Sequence, residues 1–283
     1  MADVRFHFHP YRGIGSTMSI FSNFEWQRIA EQAEAARLAL EGIDQSQLER
    51  ISELAEHLDR YIQVQMPEIE EAIRQAEWWQ DRQKVNVANL AEQGWFPNWF
   101  TFSFHLEDED ASDDDLMIAQ IEHDWSRITE KVLELCPKRK EILATAFKLH
   151  EEGNYIASIP LLLIQADGVC AERFTYFFSA DKNTGHRASD QILKEIEDGT
   201  LSPSFFGEIL IEPFKIRLQL TQGSSKSSAA AKAKGPNRHG ILHGSRRHLD
   251  YGTKINGFKA ISFLSFVVYA VLDEFGNDDR ERD

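Results

Sequence analysis

Two segments of this chain are apolar on almost every side, and they constrain the fold more than anything else in it. Residues 155–168 read Tyr-Ile-Ala-Ser-Ile-Pro-Leu-Leu-Leu-Ile-Gln-Ala-Asp-Gly, and residues 260–272 read Ala-Ile-Ser-Phe-Leu-Ser-Phe-Val-Val-Tyr-Ala-Val-Leu. A surface helix needs only one apolar stripe, so a helix apolar all round must be enclosed by other elements. The second run has thirteen residues, includes Ser262 and Ser265, and follows Lys259. That is short of the ~20 residues that cross a bilayer. Both segments are therefore predicted as core helices of a soluble protein.

The remaining pattern is helical nearly throughout. Helices are expected over 23–41 and 46–65, the latter with a stripe of Leu48, Ile51, Leu54, Leu58 and Ile62 at three-to-four spacing. Pro67, followed by Glu68 and Glu70, reads as a fresh helix start that runs to Gly94. The aromatic-dense loop 94–100 is expected to plug a junction between helices, with a base-stacking platform as the alternative. Residues 107–115 carry seven acids in nine and read as a solvated loop, without the glycine and terminal Glu of a calcium-binding loop. Further helices are expected over 116–135, 138–150, 187–197, 204–221 and 253–274. A Ser-, Ala- and Lys-rich stretch at about 222–235 has no apolar periodicity and reads as a mobile loop. The expectation is an all-α helical bundle, with an N-terminal helical region at 1–135 and a C-terminal domain at 136–283.

The net charge is −15, yet residues 221–259 hold eight cations against one acid, Asp250. Such a basic island can recruit phosphate locally while the acidic remainder repels non-specific polyanions; a solvated Lys-rich loop is the plain alternative. Only Cys136 and Cys170 are present, which excludes a disulfide scaffold and suits a reducing cytosol. The N-terminus lacks the apolar core of a secretion signal, so a cytoplasmic protein with no membrane partner is expected. Gly13-Ile14-Gly15-Ser16-Thr17 has no Lys and no preceding strand, which argues against a phosphate loop.

Inside the island lies Pro236-Asn237-Arg238-His239-Gly240-Ile241-Leu242-His243-Gly244. Cleaving a phosphodiester needs a fixed cation for the phosphate and a group that exchanges protons near neutral pH. Arg238 offers the first as a planar fork of donors, and His243 the second. On a regular helix five positions are about 500°, leaving the two roughly 140° apart. They converge only in a turn or a distorted helix end, which Pro236, Gly240 and Gly244 favour. The structural alternative is that Arg238 caps a neighbouring helix and His243 is a core histidine.

From about residue 138 the chain resembles the HEPN superfamily, helical bundles that include many prokaryotic ribonuclease toxins and defence effectors. The first block that carries the resemblance runs from Lys140 through His150, Gly153-Asn154-Tyr155, Ser158-Ile159-Pro160-Leu161-Leu162 and Gln165-Ala166-Asp167-Gly168. The second is 237–244, then Asp250-Tyr251-Gly252-Thr253, Asn256 and Lys259-Ala260. The family signature is an Arg, a polar residue, a short spacer and a His. Arg238, His239 and His243 take those places, with His239 where Asn is usual. The resemblance implies a metal-independent endoribonuclease without a cofactor, acting as a homodimer on RNA such as tRNA, in antiviral defence or with an antitoxin partner. A non-catalytic module that binds RNA, nucleotide or a partner protein is the alternative, since some members have lost catalysis. The catalytic residues expected are Arg238 and His243. Supporting or RNA-binding roles fall to Asn237, His239, Arg246 and Arg247, with Asp167 or Glu172 placing a carboxylate beside the motif. A rival constellation is zinc held by His239, His243 and His248 with His7 and His9, although no Glu follows His239 as in a metalloprotease.

Overall fold

The computed structural model describes residues 45–105, 110–178, 187–216 and 218–276, which fall into two units, 1–73 and 74–283. The described part is all-α, with no strand. The division expected at 135/136 falls inside the second unit. The helix expected over 23–41, the Gly13–Thr17 segment, His7 and His9 lie outside the described residues.

One helix, α1 (Gln45–Glu92), occupies the span in which two were expected. Pro67 sits within it. Proline removes a single helical hydrogen bond at a cost of ~3 kcal/mol, and the Glu-, Ala-, Gln- and Arg-rich sequence that follows supplies strong helix formers to carry the helix on. Leu54 and Leu58, the described members of the expected stripe that can be placed, are exposed.

The second unit is built around the two apolar segments. They form α5 (Tyr155–Arg173) and α11 (Lys254–Val268, continued by a π-helical turn Tyr269–Glu274). These two pack on each other more extensively than any other pair. Both are long and apolar enough to cross a membrane by length and composition alone. Around them lie α2 (Asp113–His123), α3 (Trp125–Leu135), α4 (Lys140–Glu151) and α6 (Ala188–Glu197). The single helix expected over 116–135 breaks at Asp124, whose side chain is instead taken by Gln120 and Arg127. The span 204–221 also divides, into α7 (Gly207–Leu210), α8 (Glu212–Lys215) and a 3-10 turn at Gln219–Thr221. Pro213 fits the first turn of α8 but cannot continue α7. The stretch expected as a mobile loop carries a one-turn helix, α9 (Ala229–Ala233), capped by the Ser228 hydroxyl. α10 (Arg238–Leu242) completes the set.

Two polar details explain residues that look misplaced in the sequence. Ser262 sits in the apolar run because its hydroxyl clamps the backbone of Phe96: it accepts the Phe96 N–H at 2.7 Å and donates to the Phe96 carbonyl at 2.8 Å. This fixes the aromatic plug, where Trp95 and Phe96 are fully buried and Phe96 packs edge-on against Phe263. Burial of such a ring stabilises by roughly 1.5–3 kcal/mol. Pro160, inside α5, cannot donate to the Ile156 carbonyl one turn earlier. That carbonyl takes the Tyr251 hydroxyl instead, at 2.8 Å.

His150, at the end of α4, is enclosed by Trp125, Tyr155 and Phe258, with ring centroids 4.8 to 5.3 Å away. Neither ring nitrogen has a hydrogen-bond partner among the described residues. Burial lowers its pKa to about 4, opposed by the Glu151 carboxylate and aided by the Lys254 ammonium. The unfolded chain therefore binds a proton near pH 6.5 that the folded one refuses until about pH 4. Stability should fall as pH drops through this window, by about 3 kcal/mol in all. Urea unfolding at pH 7 and pH 4.5 checks this: the wild type should lose more stability on acidification than His150→Gln.

Candidate functional site

The motif folds as a single helical turn with both ends fixed by its own residues. Asn237 caps α10, its side-chain oxygen accepting the Gly240 N–H at 2.7 Å. Its amide donates to the carbonyls of Gln222 (3.0 Å) and Gln219 (3.4 Å), tying α10 to the 219–222 segment opposite. At the other end Gly244 adopts φ +60°. The N–H groups of Gly244 and Ser245 close back on the carbonyls of Ile241 and Gly240 at 3.0 and 2.8 Å. That pairing is the Schellman arrangement, which favours glycine at the left-handed position. Gly240 has a steric role. A Cβ there would lie 2.2 Å from the His248 ring, which is buried and held by the Ser224 carbonyl at 2.9 Å. Gly240→Ala should therefore cost about 1–3 kcal/mol by overpacking, read as a lowered Tm.

His243, the C-cap of α10 at φ −91°, ψ 6°, still donates its N–H to the His239 carbonyl at 3.2 Å, so the two imidazoles stand one helical turn apart, and Arg238 lines the same cleft without a distorted backbone between them. Arg238, His239 and His243 line one cleft of about 330 Å³. The facing wall is Leu220 to Gly223, and Phe178 and Arg187 complete it. The two imidazoles are exposed, their ring centroids 4.4 Å apart. Arg238 is mostly buried. Its guanidinium lies 5.2 Å above the Phe178 ring, and Nη2 is 3.4 Å from Asp167 Oδ2. Its Nε is buried without a partner among the described residues. Asp167, on α5, also accepts the Phe178 N–H at 3.0 Å. Burial raises its pKa, opposed by the Phe178 N–H and then by Arg238. The cleft thus presents two guanidiniums and two imidazoles, with one carboxylate set behind Arg238. The lining is cationic, with the two imidazoles at its exposed edge.

No family model, curated protein or solved structure matches the chain.

The other residues singled out in the sequence fall elsewhere. Glu172 does not reach the motif: it pairs with Arg139 at 2.8 Å, and Arg139 also donates to Gln165. Five positions along α5 turn Glu172 about 140° away from Asp167. Arg246 and Arg247 are exposed on the next 3-10 turn and do not line the cleft. Asn237 is buried behind the cleft as a positioning residue. His248 is committed to Ser224, and no cluster of three metal-ligating side chains exists among the described residues. Cys136 and Cys170 are buried, and burial pushes both thiols up to about 12, so neither is a nucleophile at neutral pH. Arg187 and Phe178 were not singled out as site residues. They lie fifty to sixty residues before the motif, and no spacing in the sequence signals them.

Proposed function

We propose that this chain is a metal-independent endoribonuclease. The observation that carries the reading is the placement of Arg238, His239 and His243 in one open cleft, with Arg187 beside them. RNA brings its own nucleophile, the 2′-hydroxyl, so the protein need supply only charge stabilisation and proton transfer. The phosphate sits between the guanidiniums, and Arg238 meets the charge that develops on its oxygens. His243 removes the 2′-hydroxyl proton as O2′ bonds to phosphorus. The bond from phosphorus to the 5′-oxygen breaks, and that oxygen takes a proton from His239. The products carry a 2′,3′-cyclic phosphate and a 5′-hydroxyl. Two imidazoles from one chain make the chemistry independent of the homodimer that the HEPN resemblance implies. The same resemblance suggests a cytoplasmic defence or toxin setting with an antitoxin partner.

The hold that Asp167 has on Arg238 favours a second reading, a cleft that binds RNA without cutting it. Incubating pure protein with tRNA and total RNA in chelator separates the two. Discrete fragments support the nuclease. Intact RNA with salt-sensitive binding supports the second reading. RNA neither cut nor bound overturns both.

A further inference from the structure

A second cavity, of about 410 Å³, lies where the ends of α2 and α4 meet the starts of α3, α5 and α11. Its walls are aromatic: Trp125, Tyr155 and Phe258 surround the buried, unpartnered imidazole of His150. Trp125 lies nearly parallel to that ring at 19°, whereas Tyr155 and Phe258 stand across it at 72° and 88°. At the rim are two carboxylates, Glu122 and Glu151, and one cation, Lys254. Glu151 accepts the Trp125 indole N–H at 2.5 Å, so charge and ring are fixed together. Glu122 holds the Lys254 ammonium at 2.9 Å, and that ammonium lies 5.4 Å from the centre of the Phe258 ring. The rim is thus net negative, and a tethered cation already lies against one aromatic wall.

We propose that this cavity binds a small methylated ammonium ion. Aromatic faces attract cations through their quadrupoles, and cages of this composition recognise quaternary ammonium groups. Methyl groups make the ion easier to strip of water than the primary ammonium of Lys254, whose side chain remains 57% exposed at the rim. The neutral imidazole of His150 provides a floor that does not repel a cation. Glu122 and Glu151 discriminate against anions, so the cavity is chemically distinct from the Arg- and His-lined cleft. The two lie at different levels of α5, since Tyr155 and Asp167 are twelve residues, or about 18 Å, apart along it.

The test is a titration with choline, following the indole N–H resonance of Trp125, alongside 3,3-dimethylbutan-1-ol as its uncharged isostere. Saturable binding of choline with a Kd on the order of 1 mM, and at least about tenfold weaker binding of the alcohol, is the expected result. Lys254→Ala should tighten choline binding severalfold, because it frees Glu122 and the Phe258 face. Glu151→Gln, which keeps an acceptor for the indole, should weaken it while leaving Tm in place. No saturation by choline, equal binding of the isostere, or weaker binding in Lys254→Ala would each overturn the proposal.

Discussion

RNA cleavage by His243→Ala should be slower by about 10²–10⁴-fold, the usual worth of a positioned general base, with Tm unchanged. The effect is separable from folding because the His243 imidazole is exposed. Its loss leaves the glycine-closed helix end, built from Gly244 and Ser245 backbone groups, intact. Arg238 offers a less clean probe. Arg238→Ala would lose the charge on the phosphate and also leave Asp167 buried with only backbone N–H groups in its favour. Burial would then push that carboxyl further towards neutrality. Arg238→Lys should not restore activity: a single ammonium cannot lie flat over Phe178, reach Asp167 and still present a fork to phosphate. Cleavage assays and thermal melts on the three variants read these outcomes. Wild-type cutting by His243→Ala would remove its assigned role.

The largest expected loss of stability is at Lys259. This side chain is 1% exposed, yet it remains within an otherwise apolar helix. Its ammonium donates to the carbonyls of Gln93 (2.7 Å) and Ala233 (2.8 Å), lies 3.6 Å from Asp114 and faces the Trp95 ring. One side chain on α11 thereby fastens the loop after α1, the end of α9 and the start of α2. Burial lowers its pKa, with Asp114 opposing. Lys259→Ala would strand the two carbonyls, a cost of about 2–5 kcal/mol, while Asp114, 39% exposed, keeps the Trp95 indole N–H. For a unit of this size that is a fall in Tm of about 10 °C. A change of only a degree or two would show that the contacts are individually dispensable. The same contact explains Gly94: a Cβ there would meet the Lys234 carbonyl oxygen at 2.1 Å.

These residues also show what the sequence made legible. The core helices were readable because 155–168 and 260–272 are too apolar for any surface, and the fold places them at the centre. The break at Pro67 was misread because proline penalises a helix by a finite amount that its neighbours can outweigh. Short turns in place of one helix over 204–221 follow from Gly207 and Pro213, local punctuation that the apolar pattern masked. At the site, Arg238 and His243 were legible because the motif is contiguous, and Asp167 because it lies on the helix the motif packs against. Glu172 was not separable from Asp167 without knowing which way α5 faces. Arg187 and Phe178 reach the cleft only through tertiary folding, which leaves no periodic trace.

In the proposed cleavage the nucleophile is RNA's own 2′-hydroxyl, deprotonated by His243 while Arg238 holds the phosphate and His239 serves the leaving oxygen. This is tested most directly with an oligoribonucleotide carrying a single 2′-deoxy nucleotide at the cleaved position. The account predicts that cutting there stops while binding persists. Undiminished cutting at the deoxy position would contradict it.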